Sequence, residues 1–382
     1  MTTIQIILWL SILVIFYIYA GYLALLFLAQ KRSNRRGENV PLDHSPIVTV
    51  IIVARNEEKG IEKKIQNLLT LDYPNERKEI IIVSDQSTDL TDQIVKKYEH
   101  RGVQLFTLQD RMGKTYAQNI ATARAIGEIV VYSDANATYH KDAINQLVAP
   151  FRDPDVGCVV GELCYESKGM DAVGENESLY WRYEKVIKKL ENDNWGIIGA
   201  NGSIYAVRKS NYLPLGSDVI SDFIEPLEVA VRGKKVIYEP KAISYEKTSN
   251  SFEEEYARKR RIVARSIYGL IKHIRILNPL KRPGITFEVI SHKVLRWLSP
   301  FFMINIFVSN LVLIFNPLYK ILFYAQVIFY GLGIIGFLAR KKKNTYGFIL
   351  IPLYFCMIWY ACLMGLVDWI KGKNYMVWEP LR

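Results

Sequence analysis

The sequence predicts an α/β domain, a mostly parallel, doubly wound sheet, set between one N-terminal and three C-terminal transmembrane helices. Three observations carry this expectation. Short β-branched runs alternate with helical stretches from Pro46 to about Gly161, apolar runs nearly free of charge occupy both ends, and polar or acidic residues cluster where the strands stop. Over the 382 residues the chain is 50% hydrophobic and 23% charged, with a formal net charge of +11. Those averages exclude a disordered chain but conceal its division into two kinds of protein.

Ile4 to Ala29 holds no charged side chain over 26 residues. At about 1.5 Å per residue that length exceeds the roughly 30 Å hydrocarbon core of a bilayer. A cleaved signal peptide fits poorly, because no basic residue precedes the run and the run is too long. Lys31, Arg32, Arg35 and Arg36 follow at once, which places the next segment in the cytoplasm.

In the middle, Ile47–Val53, Glu79–Val83, Val103–Thr107, Ile129–Tyr132 and Cys158–Val160 read as buried strands. Between them, segments near Lys59–Leu69, Asp89–Tyr98, Lys114–Ile126 and Asp142–Val148 have helical periodicity. Such alternation implies ligands at the carboxyl ends of the strands. Ala54-Arg55-Asn56-Glu57 follows the first strand, so the glycine-rich dinucleotide fingerprint is missing, and the phosphate loop of nucleotide triphosphatases is missing too.

At the far end, Leu298–Phe315, Leu318–Ala339 and Tyr346–Ile370 read as three more spans. Asn316-Pro317 links the first two, and Arg340-Lys341-Lys342-Lys343 marks the next connection as cytoplasmic. Strict alternation of sides puts the tail after Ile370 on the opposite face, yet it holds Lys371, Lys373 and Arg382, so the side of the tail stays open. Ile285–Leu298 mixes Lys293 and Arg296 with Phe287, Val289, Ile290, Leu295 and Trp297, and reads as an amphipathic interfacial helix with its basic side at lipid phosphates and Trp297 at the headgroups; an ordinary amphipathic helix packed on the domain is the alternative. The expected division is 1–30, 31–284, 285–298, 299–370 and 371–382. Cys158, Cys164, Cys356 and Cys362 form no metal-binding spacing and read as reduced thiols.

The chemistry is expected at four clusters: Arg55-Asn56-Glu57, Ser84-Asp85-Gln86-Ser87-Thr88-Asp89, Gly113-Lys114 and Ser133-Asp134-Ala135-Asn136. Each alone reads as a turn or a helix cap. Together, at one edge of a sheet, they suit a nucleotide held with a divalent cation.

On these residues the chain, from about Ile47 to Gly269, resembles membrane-bound family 2 glycosyltransferases of the cellulose and hyaluronan synthase group. The resemblance implies the GT-A fold and a nucleotide-sugar donor, UDP-linked, bound through Asn56, Glu57, Asp85, Lys114, Asp134 and Arg258. Ser84 and Gln86 depart from the family's D-D-G-S. Asp134-Ala135-Asn136 stands for its D-x-D, so Asp134 and Asn136 are implied ligands of Mg²⁺ or Mn²⁺, with Glu246 a further carboxylate that could help. Gly199, Asn201 and Gly202 resemble the glycine-rich acceptor strand, where small residues admit a sugar ring. Ile220-Ser221-Asp222 stands for T-E-D, which makes Asp222 the general base for inversion. Arg258-Lys259-Arg260-Arg261-Ile262 stands for Q-x-x-R-W, with Arg261 as the clamp on the leaving diphosphate. Ile262 replaces the Trp platform for the acceptor, which weighs against long-chain processivity.

From Arg258 to Arg296 the sequence carries eleven Lys or Arg and one acidic residue, Glu288. Beside membrane spans this reads as a surface for anionic lipids and diphosphate rather than for nucleic acid. The expected protein is a multi-pass enzyme of the cytoplasmic membrane, its catalytic domain in the cytoplasm, acting on a polysaccharide or lipid-linked acceptor. Single-sugar transfer to lipid is the alternative, and the reading leaves room for an oligomer. A non-catalytic membrane scaffold on the same fold is the rival of another class; Asp85, Asp134, Asp222 and Arg261 together argue against it.

Overall fold

The computed structural model describes residues 2–30, 45–166, 172–247, 251–340, 347–373 and 375–376. The basic segments 31–36 and 341–343 and the end of the tail, 377–382, lie outside the described residues.

Helix α1 runs Thr3–Ala29. The central α/β domain then follows as β1 (Val48–Ala54), α2 (Ile61–Leu69), β2 (Lys78–Ser84), α3 (Thr91–Lys96), β3 (Val103–Thr107), α4 (Lys114–Arg124), β4 (Ile129–Asp134), β5 (Thr138–Tyr139) and α5 (Ala143–Val148). After these come β6 (Val156–Glu166), α6 (Ala172–Asn194), β7 (Tyr205–Arg208), α7 (Ser221–Val231), β8 (Lys235–Lys247) and α8 (Phe252–Lys272). Helices α9 (Pro283–Val312), α10 (Pro317–Ala339) and α11 (Gly347–Ile370) complete the chain.

The eight strands form one mixed sheet in the order β3-β2-β1-β4-β7-β6-β8-β5. β3, β2, β1 and β4 are parallel, as the alternation of strand and helix implies. β7 runs antiparallel to β4 and β6, β6 is parallel to β8, and β5 is antiparallel to β8. Central strands buried on both faces need near-continuous apolar runs, and β1 supplies one in Val-Thr-Val-Ile-Ile-Val-Ala. Alternate residues serve alternate faces. Ile51, Ile81 and Val130 join one core under α4, α7 and α8, while Val50, Ile52 and Ile80 join the other beneath Ile61, Ile65 and Leu68 of α2.

Four helices are long and apolar enough to cross a membrane, one N-terminal and three C-terminal. The segment 285–298 differs from expectation. It is the first half of one continuous helix, α9, and its polar side faces protein. Arg296 pairs with Glu184 of α6, and Trp297 is buried edge-on against Phe223 of α7, ring centroids 6.1 Å apart. A carboxylate and an aromatic core were available to these side chains, so lipid is not what they meet.

The same junction is cross-linked by a buried polar network. His292 bridges two carboxylates, Nδ1 to Glu191 at 2.6 Å and Nε2 to Glu184 at 3.0 Å. Tyr22 of α1 donates to Glu191 at 2.7 Å, and Tyr17 meets Ser291 at 2.7 Å. The basic run after Arg258 is likewise largely engaged within the protein: Arg260 pairs with Asp368, Lys272 with Asp218 and Arg275 with Glu228.

Both flanks of α11 touch the central α/β domain. Arg340, just before it, pairs with Glu253, and Asp368 in its last turn accepts two bonds from Arg260, at 2.5 and 2.6 Å. Tyr256 stacks on Tyr360, centroids 5.4 Å apart. Strict alternation of sides sends the tail away from the domain. Instead, Ser217 Oγ donates to Met376 Sδ at 2.8 Å, on the domain itself.

Candidate active site

The ends of β1, β2 and β4 and the starts of α4 and α7 meet at one edge of the sheet. Lys114, the first residue of α4, donates to Asp134 at the end of β4. Asp222 lies in the first turn of α7, whose N-terminus has no side-chain cap. Capping therefore does not account for Asp222. Gly202 shows how tightly the three converge: a Cβ there would stand 2.7 Å from Lys114 Nζ, 2.9 Å from Asp134 Oδ2 and 3.0 Å from Asp222 Oδ2. Any larger residue at 202 would fill the space between the ion pair and the candidate base.

The electrostatics follow from burial and neighbours. Burial pushes the Asp222 carboxyl above the ordinary carboxylate value, with Lys114 opposing and Asp134 adding to the shift. Burial works against the Lys114 ammonium, yet Asp134 and Asp222 outweigh it and hold its pKa above that of an ordinary lysine. Arg261 is depressed by burial and by Arg258, with Asp134 and Asp222 pulling the other way. Arg258, Arg261 and Arg265 lie three and four residues apart on α8, hence on one face. Arg265, which the sequence reading missed, donates to the Val219 carbonyl at 2.6 Å and props the loop before Asp222.

Other expected residues shape the site rather than face this centre. Both oxygens of Asp85 are taken by the loop before α4, from Met112 N at 2.8 Å and Gly113 N at 3.0 Å. Asn56, at φ 51°, accepts from Thr88 N at 2.8 Å, and Glu57 is buried, its amide donating to Thr91 at 2.8 Å. Asn201 closes its own loop, accepting from Ser203 Oγ at 2.5 Å and Ile204 N at 3.2 Å. Gly199 sits under Phe223, whose ring lies 3.3 Å from where a Cβ would be. Arg258 pairs with Glu255 at 2.5 Å. Ile262, about 100° further round α8 than Arg261, is 37% exposed.

The residues that could serve a cation are few. Asp134 offers a carboxylate and Asn136, exposed in the turn after β4, offers an amide oxygen. Among the described residues no group of three or more acidic, His or Cys side chains could hold an ion alone. That donor set fits a hard cation shared with a diphosphate, whose oxygens complete the shell. Glu246 adds a buried carboxylate whose Oε1 has no hydrogen-bond partner among the described residues. Burial and Asp134 push it up to about 7, against Arg258, Lys114 and Lys64.

The sequence reading also missed the tail. Gly113 adopts φ +83°, and a Cβ there would lie 2.2 Å from the Met376 carbonyl oxygen. Residue 376 thus rests on the loop that Asp85 holds. Only the absence of a side chain at 113 permits that approach.

Comparison with known proteins agrees with this geometry. The family described as Glycosyl transferase family 2 matches residues 49–212. The chain is 25% identical over 291 residues to "Probable glycosyltransferase YdaM" of Bacillus subtilis (strain 168), a stretch covering 72% of this chain and 68% of that protein. It is 27% identical over 220 residues to poly-beta-1,6-N-acetyl-D-glucosamine synthase of Staphylococcus aureus (strain COL), covering 56% of this chain and 53% of the synthase. The chain thus spans about half the length of that relative. In fold it is similar to the mannosyltransferase PcManGT from Pyrobaculum calidifontis, solved in complex with GDP-Man and Mn2+, at a TM-score of 0.75 and 20% identity, covering 96% of this chain and 100% of that one. The mixed sheet is GT-A-like, residues 49–212 match the glycosyl transferase family 2 model, and with its curated relatives this supports one conclusion: the protein is a glycosyltransferase.

Proposed function

We propose that the protein transfers a sugar, with inversion, from a UDP-linked donor to a polysaccharide or lipid-linked acceptor at a membrane face. The observation that carries the proposal is the convergence of Lys114, Asp134 and Asp222 on Gly202. A base, a phosphate-binding cation and a metal-binding carboxylate are what an inverting transfer needs in one place. Asp222 takes the proton of the acceptor hydroxyl as the new bond forms. Its raised pKa suits that task, because proton transfer is best driven by a base poised nearer the working pH. Lys114 and Arg261 receive the charge that grows on the leaving diphosphate. Asp85 shapes the nucleotide pocket through the loop at 112–113. When bound, Mg²⁺ or Mn²⁺ on Asp134 and Asn136 neutralises the diphosphate.

The exposed, aliphatic Ile262 favours short products over a long polymer, although a similar synthase makes one. We place the catalytic domain in the cytoplasm from the basic residues that flank the spans in the sequence.

The test uses the full chain purified in detergent, incubated with UDP-glucose, UDP-galactose, their N-acetyl forms and GDP-mannose, with Mn²⁺ or with excess chelator. Slow nucleotide release from one UDP-sugar, lost in Asp134→Ala and in chelator, is expected. Release from GDP-mannose alone would overturn the UDP assignment, and full release in chelator would overturn the metal.

A further inference from the structure

Helix α2 carries the stripe Ile61, Lys64, Ile65 and Leu68, and all four side chains are buried. Three are what an amphipathic helix places on a core. The fourth is a lysine, 1% exposed, in a position where apolar side chains belong. Its ammonium donates to Ser133 Oγ at 2.7 Å and sits 3.9 Å above the ring of Tyr139. Ser133 immediately precedes Asp134, and its hydroxyl also reaches the Ser203 carbonyl at 3.1 Å, one residue past Gly202. The two backbone segments that bring Asp134 and Gly202 together are therefore tied to each other and to Lys64.

Charge points the same way. Burial brings Lys64 down to about 7, while Asp134 and Glu246 oppose that shift. Lys64 thus stands within electrostatic reach of both carboxylates. Lys114 bonds to Asp134 as well, but the proposed donor needs Lys114 for its diphosphate. Lys64 is buried behind the turn and has no such call on it.

We propose that Lys64 is a positioning residue for sugar transfer, a fixed counter-ion that holds the Ser133–Asp134 strand end and compensates Glu246 while Lys114 turns to the diphosphate. This rests on the function proposed above and adds a residue to it. Removing the ammonium alone leaves Glu246 without its counter-ion and costs stability, whereas replacing both charges by neutral side chains of similar shape is neutral or stabilising for the fold. In the double variant stability and rate should therefore part company, which a purely structural lysine would not allow.

The test compares the full-length wild type with Lys64→Met, Glu246→Gln and the double variant, reading the unfolding midpoint and UDP release from the UDP-sugar that the wild type turns over. Lys64→Met is expected to lower the midpoint and slow release about 100-fold, chiefly in kcat. Adding Glu246→Gln removes the uncompensated carboxylate and should return the midpoint to the wild-type value but restore the rate by only about tenfold, a coupling that a double-mutant cycle isolates. Lys64→Met release within threefold of wild type, a double variant whose rate returns fully with its midpoint, or a double variant no faster than Lys64→Met overturns the proposal. A wild type inert toward every UDP-sugar counts against the donor assignment instead, and the midpoint of the double variant still decides whether the lysine is there for the fold.

Discussion

Two buried charged clusters, one at a helix junction and one at the sheet edge, are finished to different degrees. At the junction of α1, α6 and α9, His292 engages a carboxylate at each ring nitrogen, Arg296 closes on Glu184, and Tyr22 takes Glu191. Glu288 is the exception there, buried with both oxygens unpartnered among the described residues. At the sheet edge the balance reverses. Glu246 keeps an unpartnered oxygen, and Asp222 is held near Lys114 and Asp134 without a cap or a partner of its own among the described residues. Paired groups such as His292 and Arg296 fix geometry, and an unpartnered carboxylate beside Lys114, Asp134 and Asp222 is where a ligand can be met. The difference marks one cluster as a fastener and the other as a workplace.

Breaking the workplace should have the largest effect on rate. Asp222→Asn preserves shape and removes the proposed base. Transfer is expected to fall about 10²–10⁴-fold, the usual range for a general base, with UDP binding in Mn²⁺ unchanged by calorimetry. Near-normal transfer would return Asp222 to a structural role. Breaking the fastener should tell in stability instead. Arg296→Ala leaves buried Glu184 with His292 as its remaining partner among the described residues, a loss of at most about 3–5 kcal/mol, visible as a lowered unfolding midpoint. If the midpoint holds and only the rate falls, the two clusters are not distinct in kind.

The smallest effect sharpens the comparison through pH. Glu225, buried in α7 beside the site, accepts a bond from Leu213 N at 3.1 Å, and burial pushes it up to about 8. The folded state holds this proton more tightly than the unfolded chain does. Its contribution is complete below the ordinary carboxylate value and is lost as pH rises toward about 8. Glu225→Gln should flatten that decline, by at most about 1.4 kcal/mol per pH unit. Denaturant titrations at pH 6 and pH 9 measure it, and parallel losses in wild type and variant would refute it.

Much of this was legible in the sequence because it is local. The β1, β2 and β4 runs fix their strands, and Asp85, Lys114, Asp134 and Asp222 lie where strands stop or helices start. The antiparallel β7 and the returning β8 were less legible, since their partners lie far away in the chain. Lys64 left a signal that went unread: positions 61, 64, 65 and 68 have the spacing of a buried face, and a lysine within it is anomalous. Trp297 and Arg296 misled because an aromatic and a cation at the edge of an apolar run look the same whether lipid or protein covers them. Nothing local announces that Met376 returns to Gly113.

Arg260 and Arg261 are consecutive residues of one rigid helix, yet they serve different masters. The first grips Asp368 on α11, and the second faces the carboxylates of the site. Bilayer thickness sets the tilt of apolar helices at a cost of fractions of a kcal/mol per Å. On the function proposed above, a change in the tilt of α11 is expected to pull on Arg260 and, through the shared helix, on Arg261; turnover compared across bilayers of different acyl-chain length measures that coupling.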